Sequence, residues 1–195
     1  MGELSANRSA DTLARYVGRA RFRYRAVMNR RDIKKAHEQS VLRSFKRYLE
    51  GVGRALQIVG YPDPPDAVVM LDGRPCWIEI TDAFIGADFA RSLTSFAADD
   101  VEYIPAGREA AVNPEENFAD EVVAVVEKKY AKASITEVYQ ASGAGILLVG
   151  LYSPFIFERE VTQIVDLLSA VRRQHDGRFS ELYVYNAVHD FFLVP

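Results

Sequence analysis

Apolar positions along the chain switch between two periods, and the switches mark out its elements. From Thr12, Leu13, Tyr16, Val17, Ala20, Tyr24 and Val27 fall at helical spacing, with Arg15, Arg19, Arg21, Arg23 and Arg25 among them. Asp32 can cap a second helix running to about Val52, with an apolar stripe of Val41, Leu42, Phe45, Leu49 and Val52 and with Tyr48 beside it. The period then shortens. Leu56–Val59 reads as a short strand, and Ala67–Leu71 and Pro75–Thr81 read as a hairpin joined by Asp72-Gly73, a strong turn signal.

Residues 83–112 carry a weaker pattern. Phe84, Phe89, Leu93 and Phe96 can form a short helix, followed by an irregular stretch. Asn113-Pro114-Glu115-Glu116 combines an N-cap, a first-turn proline and first-turn acids, predicting a helix to about Ala133 on Phe118, Val122, Val125 and Val126. Gly145–Tyr152 is a continuous apolar run and predicts a strand buried on both faces. A helix on Val161, Ile164, Val165, Leu168 and Val171 comes next, then strands at Leu182–Asn186 and Phe191–Val194. This succession predicts one mixed α/β layer arrangement.

Alternation along the hairpin separates its faces. Asp66, Val68 and Met70 share one face, with Ala67, Val69 and Leu71 on the other. Trp77, Glu79 and Thr81 share a face, and Ile78 and Ile80 point the opposite way. Glu79 therefore lies within an apolar strand, where an unpaired carboxylate is costly. A second carboxylate, Asp66, stands at the start of the neighbouring strand, and such a pair can seat a hard cation. On the second helix, Glu38 falls within about 40° of Leu42, Phe45 and Leu49, whereas Glu50 lies roughly 120° away. Glu38 is thus directed to the core or a cleft, and Glu50 to solvent. Lys129 falls about 20° from Phe118, at the centre of its helix's apolar stripe, where a lysine needs a carboxylate partner or a function.

Composition narrows the field. With 195 residues, 49% of them hydrophobic, the chain can bury one sizeable core. Cys76 is the sole cysteine, so no internal disulfide forms and a reducing cytoplasm is the expected setting. No apolar run approaches the ~18 residues of a membrane span, and the first residues lack the apolar segment of a secretory signal. The net charge of −3 conceals an asymmetry: residues 1–54 hold 14 Lys/Arg against 5 Asp/Glu, a net +9, and the remainder nets −12. Such asymmetry suggests either an intramolecular embrace or a basic surface for a polyanion, and the helix from Thr12 reads equally as a solvated surface helix or as a phosphate-binding one.

The order of elements, together with Glu38, Pro65-Asp66 and Glu79-Ile80-Thr81, resembles the PD-(D/E)XK nuclease superfamily over roughly residues 33–152. The resemblance implies a restriction-endonuclease-like mixed sheet flanked by helices (residues 32–195), preceded by a basic N-terminal helical extension (residues 1–31). It implies Mg²⁺ or Mn²⁺ held by Asp66, Glu79, the Ile80 carbonyl and Glu38, hydrolysis of phosphodiester bonds in nucleic acid, with DNA the expected substrate, and the option of a homodimer. Arg15, Arg19, Arg23, Arg30, Arg31, Lys34 and Lys35 would then track the phosphate backbone. Pro62-Asp63 offers a second Pro-Asp pair, but it precedes the strand, and Asp66 is preferred. The chain departs from the family where the motif lysine should stand, at Thr81. Lys129 is the preferred substitute, ahead of Lys128 and Lys132. If the lysine function is lost, the alternative is a catalytically inactive nuclease-fold protein that binds nucleic acid or a protein partner. A third reading is an interaction module whose basic helices clamp a partner or a second copy.

Each residue also has a purely structural reading: Asp66 as a turn residue, Glu79 as half of an ion pair, Glu38 as a first-turn acid, and Lys129 as a side chain snorkelling past the core edge. Other chemistries find less support. His37, His175 and His189 lack metal-ligand spacing, Cys76 has the parity of a core residue, and no GxSxG, Walker A or GxGxxG pattern occurs. Tyr183 and Tyr185 alternate along a strand, where stacking on bases or simple sheet packing would each use them.

Overall fold

The computed structural model of the chain describes residues 29–85, 92, 95, 114–153 and 156–195. The N-terminal helix expected from Thr12, and with it Arg15, Arg19 and Arg23, lies outside the described residues, as do Asn113 and most of 83–112. The chain divides into two compact units, Met1–Ala36 with Asp88–Gly107, and His37–Ala87 with Arg108–Pro195. Helix α1 (Arg30–Gly51) continues into the second unit, to which all strands among the described residues belong.

Among the described residues, six strands form a single mixed sheet in sequential order: β1 (Leu56–Gly60), β2 (Ala67–Leu71), β3 (Arg74–Phe84), β4 (Gly145–Tyr152), β5 (Phe179–Asn186) and β6 (Phe191–Val194). The first three strands meander antiparallel, β3, β4 and β5 run parallel, and β6 returns antiparallel to β5. The β2–β3 turn is Asp72-Gly73, with φ of 50° and 78°, the paired positive values that a tight two-residue hairpin requires. Arg54 ties this tip to β5, donating to Asp72 at 3.0 Å and to both Glu181 oxygens at 2.8 and 2.9 Å.

Parity in the strands fixes which helix covers which face. Val41, Leu42, Phe45 and Leu49 of α1 pack on Ala67, Val69, Ile78, Ile80, Ile146, Leu148, Tyr183 and Tyr185. The opposite face, with Trp77, Leu147, Val149, Leu151, Leu182 and Val184, lies beneath α2 (Pro114–Ala131), α3 (Ala133–Ser142) and α4 (Glu158–Gln174). The fold is therefore α/β, a six-stranded mixed sheet flanked by helices on both faces. No helix among the described residues is long and apolar enough to cross a membrane.

Three local expectations are corrected. The helix expected to reach Ala133 ends at Ala131, and a further helix, α3, begins after the extended residue Lys132 (φ −73°, ψ 117°). The reason is phase: Ile135 comes five residues after Tyr130, about 140° round a continuous helix, and only a break turns it into the core, where it is fully buried. Phe84, assigned to a short helix, instead ends β3, because pairing with β4 extends that strand beyond Thr81. Val52, placed on the stripe of α1, lies past the helix end and is exposed.

Candidate metal and catalytic centre

The centre forms where β3 outlasts β2. Their pairing closes at Ala67 opposite Ile78, so from Glu79 onward β3 keeps a strand neighbour only on the β4 side. Asp66 precedes β2 by one residue and lies level with that opening. Its Oδ2 accepts the Ile80 N–H at 2.7 Å, occupying a backbone donor that the ladder leaves open. Asp66 is buried, and burial first, then the charge of Glu79, raise its pKa from 3.8 to about 7. The Ile80 hydrogen bond and Lys129 oppose that rise, and the charge of Glu38 adds to it.

Glu79 projects to the same side and is 1% exposed. Its parity faces α2, whose apolar stripe brings Lys129 down onto the sheet. Lys129 Nζ donates to Glu79 Oε1 at 2.6 Å, and Lys132 Nζ donates to the same oxygen at 3.2 Å. The second oxygen, Oε2, is buried and has no hydrogen-bond partner among the described residues. A carboxylate so deeply buried requires compensation, and two ammonium groups on one oxygen supply it unevenly. Beside this cluster runs a cleft of about 610 Å³ lined by Thr81, Asp82, Val125, Lys128, Lys129, Ala131 and Lys132.

The residues singled out by sequence are brought together in part. Asp66 accepts the Ile80 N–H, Glu79 pairs with Lys129, and the charges of Glu79 and Lys129 are felt at Asp66. Glu38 is half-buried on α1, and its charge is felt at Asp66. Lys132, ranked below Lys129, shares its carboxylate, whereas Lys128 lines the cleft. Asp63 is exposed in a turn with φ 44°, its N–H donating to the Pro65 carbonyl, in contrast to buried Asp66. Arg31, Lys34 and Lys35 are on the first turns of α1, in the other compact unit, with Arg31 and Lys35 in the exposed part of that segment; the Arg30 side chain is outside the described residues.

Asp82, and the contacts it makes with His37 and Tyr185, were not anticipated from the sequence. On the α1 face, Asp82 Oδ1 accepts the Tyr185 hydroxyl at 2.6 Å, and its Oδ2 lies 3.0 Å from His37 Nε2. Burial alone would lower the His37 pKa, but Asp82 and, more weakly, Glu38 outweigh it and raise the value. The available signal was parity: Asp82 shares a face with Ile78 and Ile80, so a second carboxylate had to enter the α1 side of the sheet.

Among the described residues, no group of three or more His, Cys, Asp or Glu side chains is spaced to hold a metal ion. The donor set nevertheless fits Mg²⁺, which retains several waters and takes only one or two carboxylates, with substrate phosphate oxygens completing its shell. Asp66 and Glu79 offer two hard carboxylates: the charge of Glu79 opposes ionisation of Asp66, and Glu79 Oε2 is buried without a partner among the described residues. Comparison of the chain with family models, with curated proteins and with solved structures yields no match.

Proposed function

We propose that the chain is a metal-dependent nuclease that hydrolyses phosphodiester bonds of nucleic acid, with DNA the expected substrate and Mg²⁺ or Mn²⁺ the expected cofactor. The observation that carries this reading is the buried Glu79–Lys129 pair at 2.6 Å beside Asp66, two acids and a lysine gathered from three segments of the chain. Asp66 and Glu79 would hold the cation, assisted by the Ile80 carbonyl and by Glu38. A bound divalent cation lowers the pKa of an attacking water and polarises the phosphate.

The remaining work falls to the chain's own side chains. Lys129 carries the positive charge that Thr81 lacks and stands on the wall of the cleft, where it can stabilise charge developing on phosphate oxygens. Its bond to Glu79 fixes the ammonium before substrate arrives. Lys128 and Lys132 line the same cleft and suit the phosphates that flank the scissile one. The basic residues of the first 35 positions would add sequence-independent attraction for the backbone.

The test is cleavage of plasmid and single-stranded substrates in Mg²⁺ or Mn²⁺. Activity is expected to vanish with a chelator and to fall at least ~100-fold in Asp66→Asn, Glu79→Gln and Lys129→Met. Cleavage that persists unchanged in all three overturns the assignment.

A second reading has an observation in its favour. Glu79 Oε1 already carries two ammonium groups, and Thr81 brings no charge, so the cluster can be satisfied without a cation. On that reading the chain binds nucleic acid without cutting it. Binding that weakens steeply with salt, with no cleavage under any metal, would favour it.

A further inference from the structure

Resting on the reading above, we propose that Asp82 and Tyr185 are positioning residues that clamp α1 through His37 and thereby hold Glu38 at the metal-binding carboxylates. Strand register sets the geometry. Asp82 pairs with Gly150 on β4, and Gly150 pairs with Tyr185 on β5, so the three stand in one row across the parallel strands. Adjacent strands are about 4.8 Å apart, which places Asp82 and Tyr185 roughly 10 Å apart at the backbone. Their side chains nonetheless meet at 2.6 Å, because the residue between them is glycine. A Cβ on Gly150 would lie 2.3 Å from Asp82 Oδ1 and 2.8 Å from Tyr185 Cζ. The row is thus built to pass a tyrosine over a whole strand and fix one oxygen of Asp82.

The other oxygen faces α1. His37 Nε2 is 3.0 Å away, an ion-pair distance without aligned hydrogen-bond geometry, and the His37 ring also packs edge-on against Tyr152 at 5.9 Å. The apolar anchor of α1 begins at Val41, one turn after His37. Apolar contacts tolerate sliding and rotation, whereas an ion pair to an acceptor held by Tyr185 resists displacement of this turn of the helix. Glu38 is the next residue, and its negative charge works against ionised Asp66. Like charges drive this end of the helix away from the site, and the His37–Asp82 contact opposes that drive. Residues that orient metal ligands in this way commonly alter affinity ~10–100-fold when removed.

Mn²⁺ binding to the full-length chain, measured by the paramagnetic resonance of free Mn²⁺, provides the test, with melting curves in chelator confirming that each variant is folded. Glu38→Gln, His37→Ala and Tyr185→Phe are each expected to weaken Mn²⁺ binding roughly 10-fold. His37→Gln retains an N–H donor for Asp82 and is expected to recover affinity to within about 3-fold of the unsubstituted chain. The proposal is overturned if His37→Ala and Tyr185→Phe bind Mn²⁺ normally, or if His37→Gln is as impaired as His37→Ala. Failure of the unsubstituted chain to bind Mn²⁺ overturns both this inference and the metal reading on which it rests. Tyr185→Phe removes a single hydroxyl, so the test stands even if a variant at His37 fails to fold.

Discussion

Glu79 and Asp66 differ in how the chain compensates each for burial. Glu79 has two ammonium partners, whereas Asp66 has one backbone N–H and two acidic neighbours. Removing one partner of a buried pair typically costs ~3–5 kcal/mol. Lys129→Met should cost less, on the order of 2 kcal/mol in urea unfolding, because Lys132 remains on Glu79. Asp66 makes a prediction of opposite character. Its folded-state pKa of about 7 exceeds the ordinary 3.8, so the folded chain holds a proton that the unfolded chain has released. The stabilisation is complete below the lower value and is lost as pH rises through the higher one. In chelator, the unsubstituted chain should lose stability between about pH 4 and 8, by no more than about 4 kcal/mol, while Asp66→Asn should lack that slope. Added Mg²⁺ should recover the loss, since a cation favours the ionised carboxylates. Thermal melting across pH, with and without Mg²⁺, measures all of this.

At the scale of elements, the sequence disclosed more of the site than its short motif suggests. Period-two alternation placed Glu79 with Trp77, and helical phase placed Lys129 on the seam of its helix. Those two facts, taken from separate elements, anticipated a contact that measures 2.6 Å. Lys132 was harder to place because the chain near it has neither proline nor glycine to announce the break between α2 and α3. The Asp82 network was hidden for a different reason: its contacts depend on which strands are neighbours, and register across three strands is not written in any one of them. Gly150 is the residue on which that network turns. Gly150→Ala is expected to destabilise the fold by ~1–3 kcal/mol in urea titration, because the added methyl would overlap the Asp82 carboxylate and the Tyr185 ring. A neutral effect would mean that the row is looser than its distances indicate.

At the largest scale, the opening between β2 and β3 is where Asp66 bonds to the Ile80 N–H and where Glu79 lies on β3. Where β2 and β3 part, a ladder donor on β3 is left to Asp66, and a cleft lined by Thr81, Asp82 and the α2 lysines lies alongside. Charge divides along the chain in the same sense, basic in residues 1–54 and acidic thereafter. If the basic segment tracks phosphates, replacing Arg15, Arg19 and Arg23 with glutamine should weaken binding to DNA of any sequence. It should also flatten the salt dependence by about 0.9 in slope for each phosphate no longer neutralised. An unchanged slope in fluorescence anisotropy titrations would assign that segment another role. The central claim, a cation held by Asp66 and Glu79, is tested most directly by anomalous diffraction from crystals grown with Mn²⁺. The expected result is a peak coordinated by both carboxylates, with Lys129 still beside Glu79. Well-ordered density in which Glu79 remains bonded to Lys129 and Lys132, with no peak at either carboxylate, would contradict it.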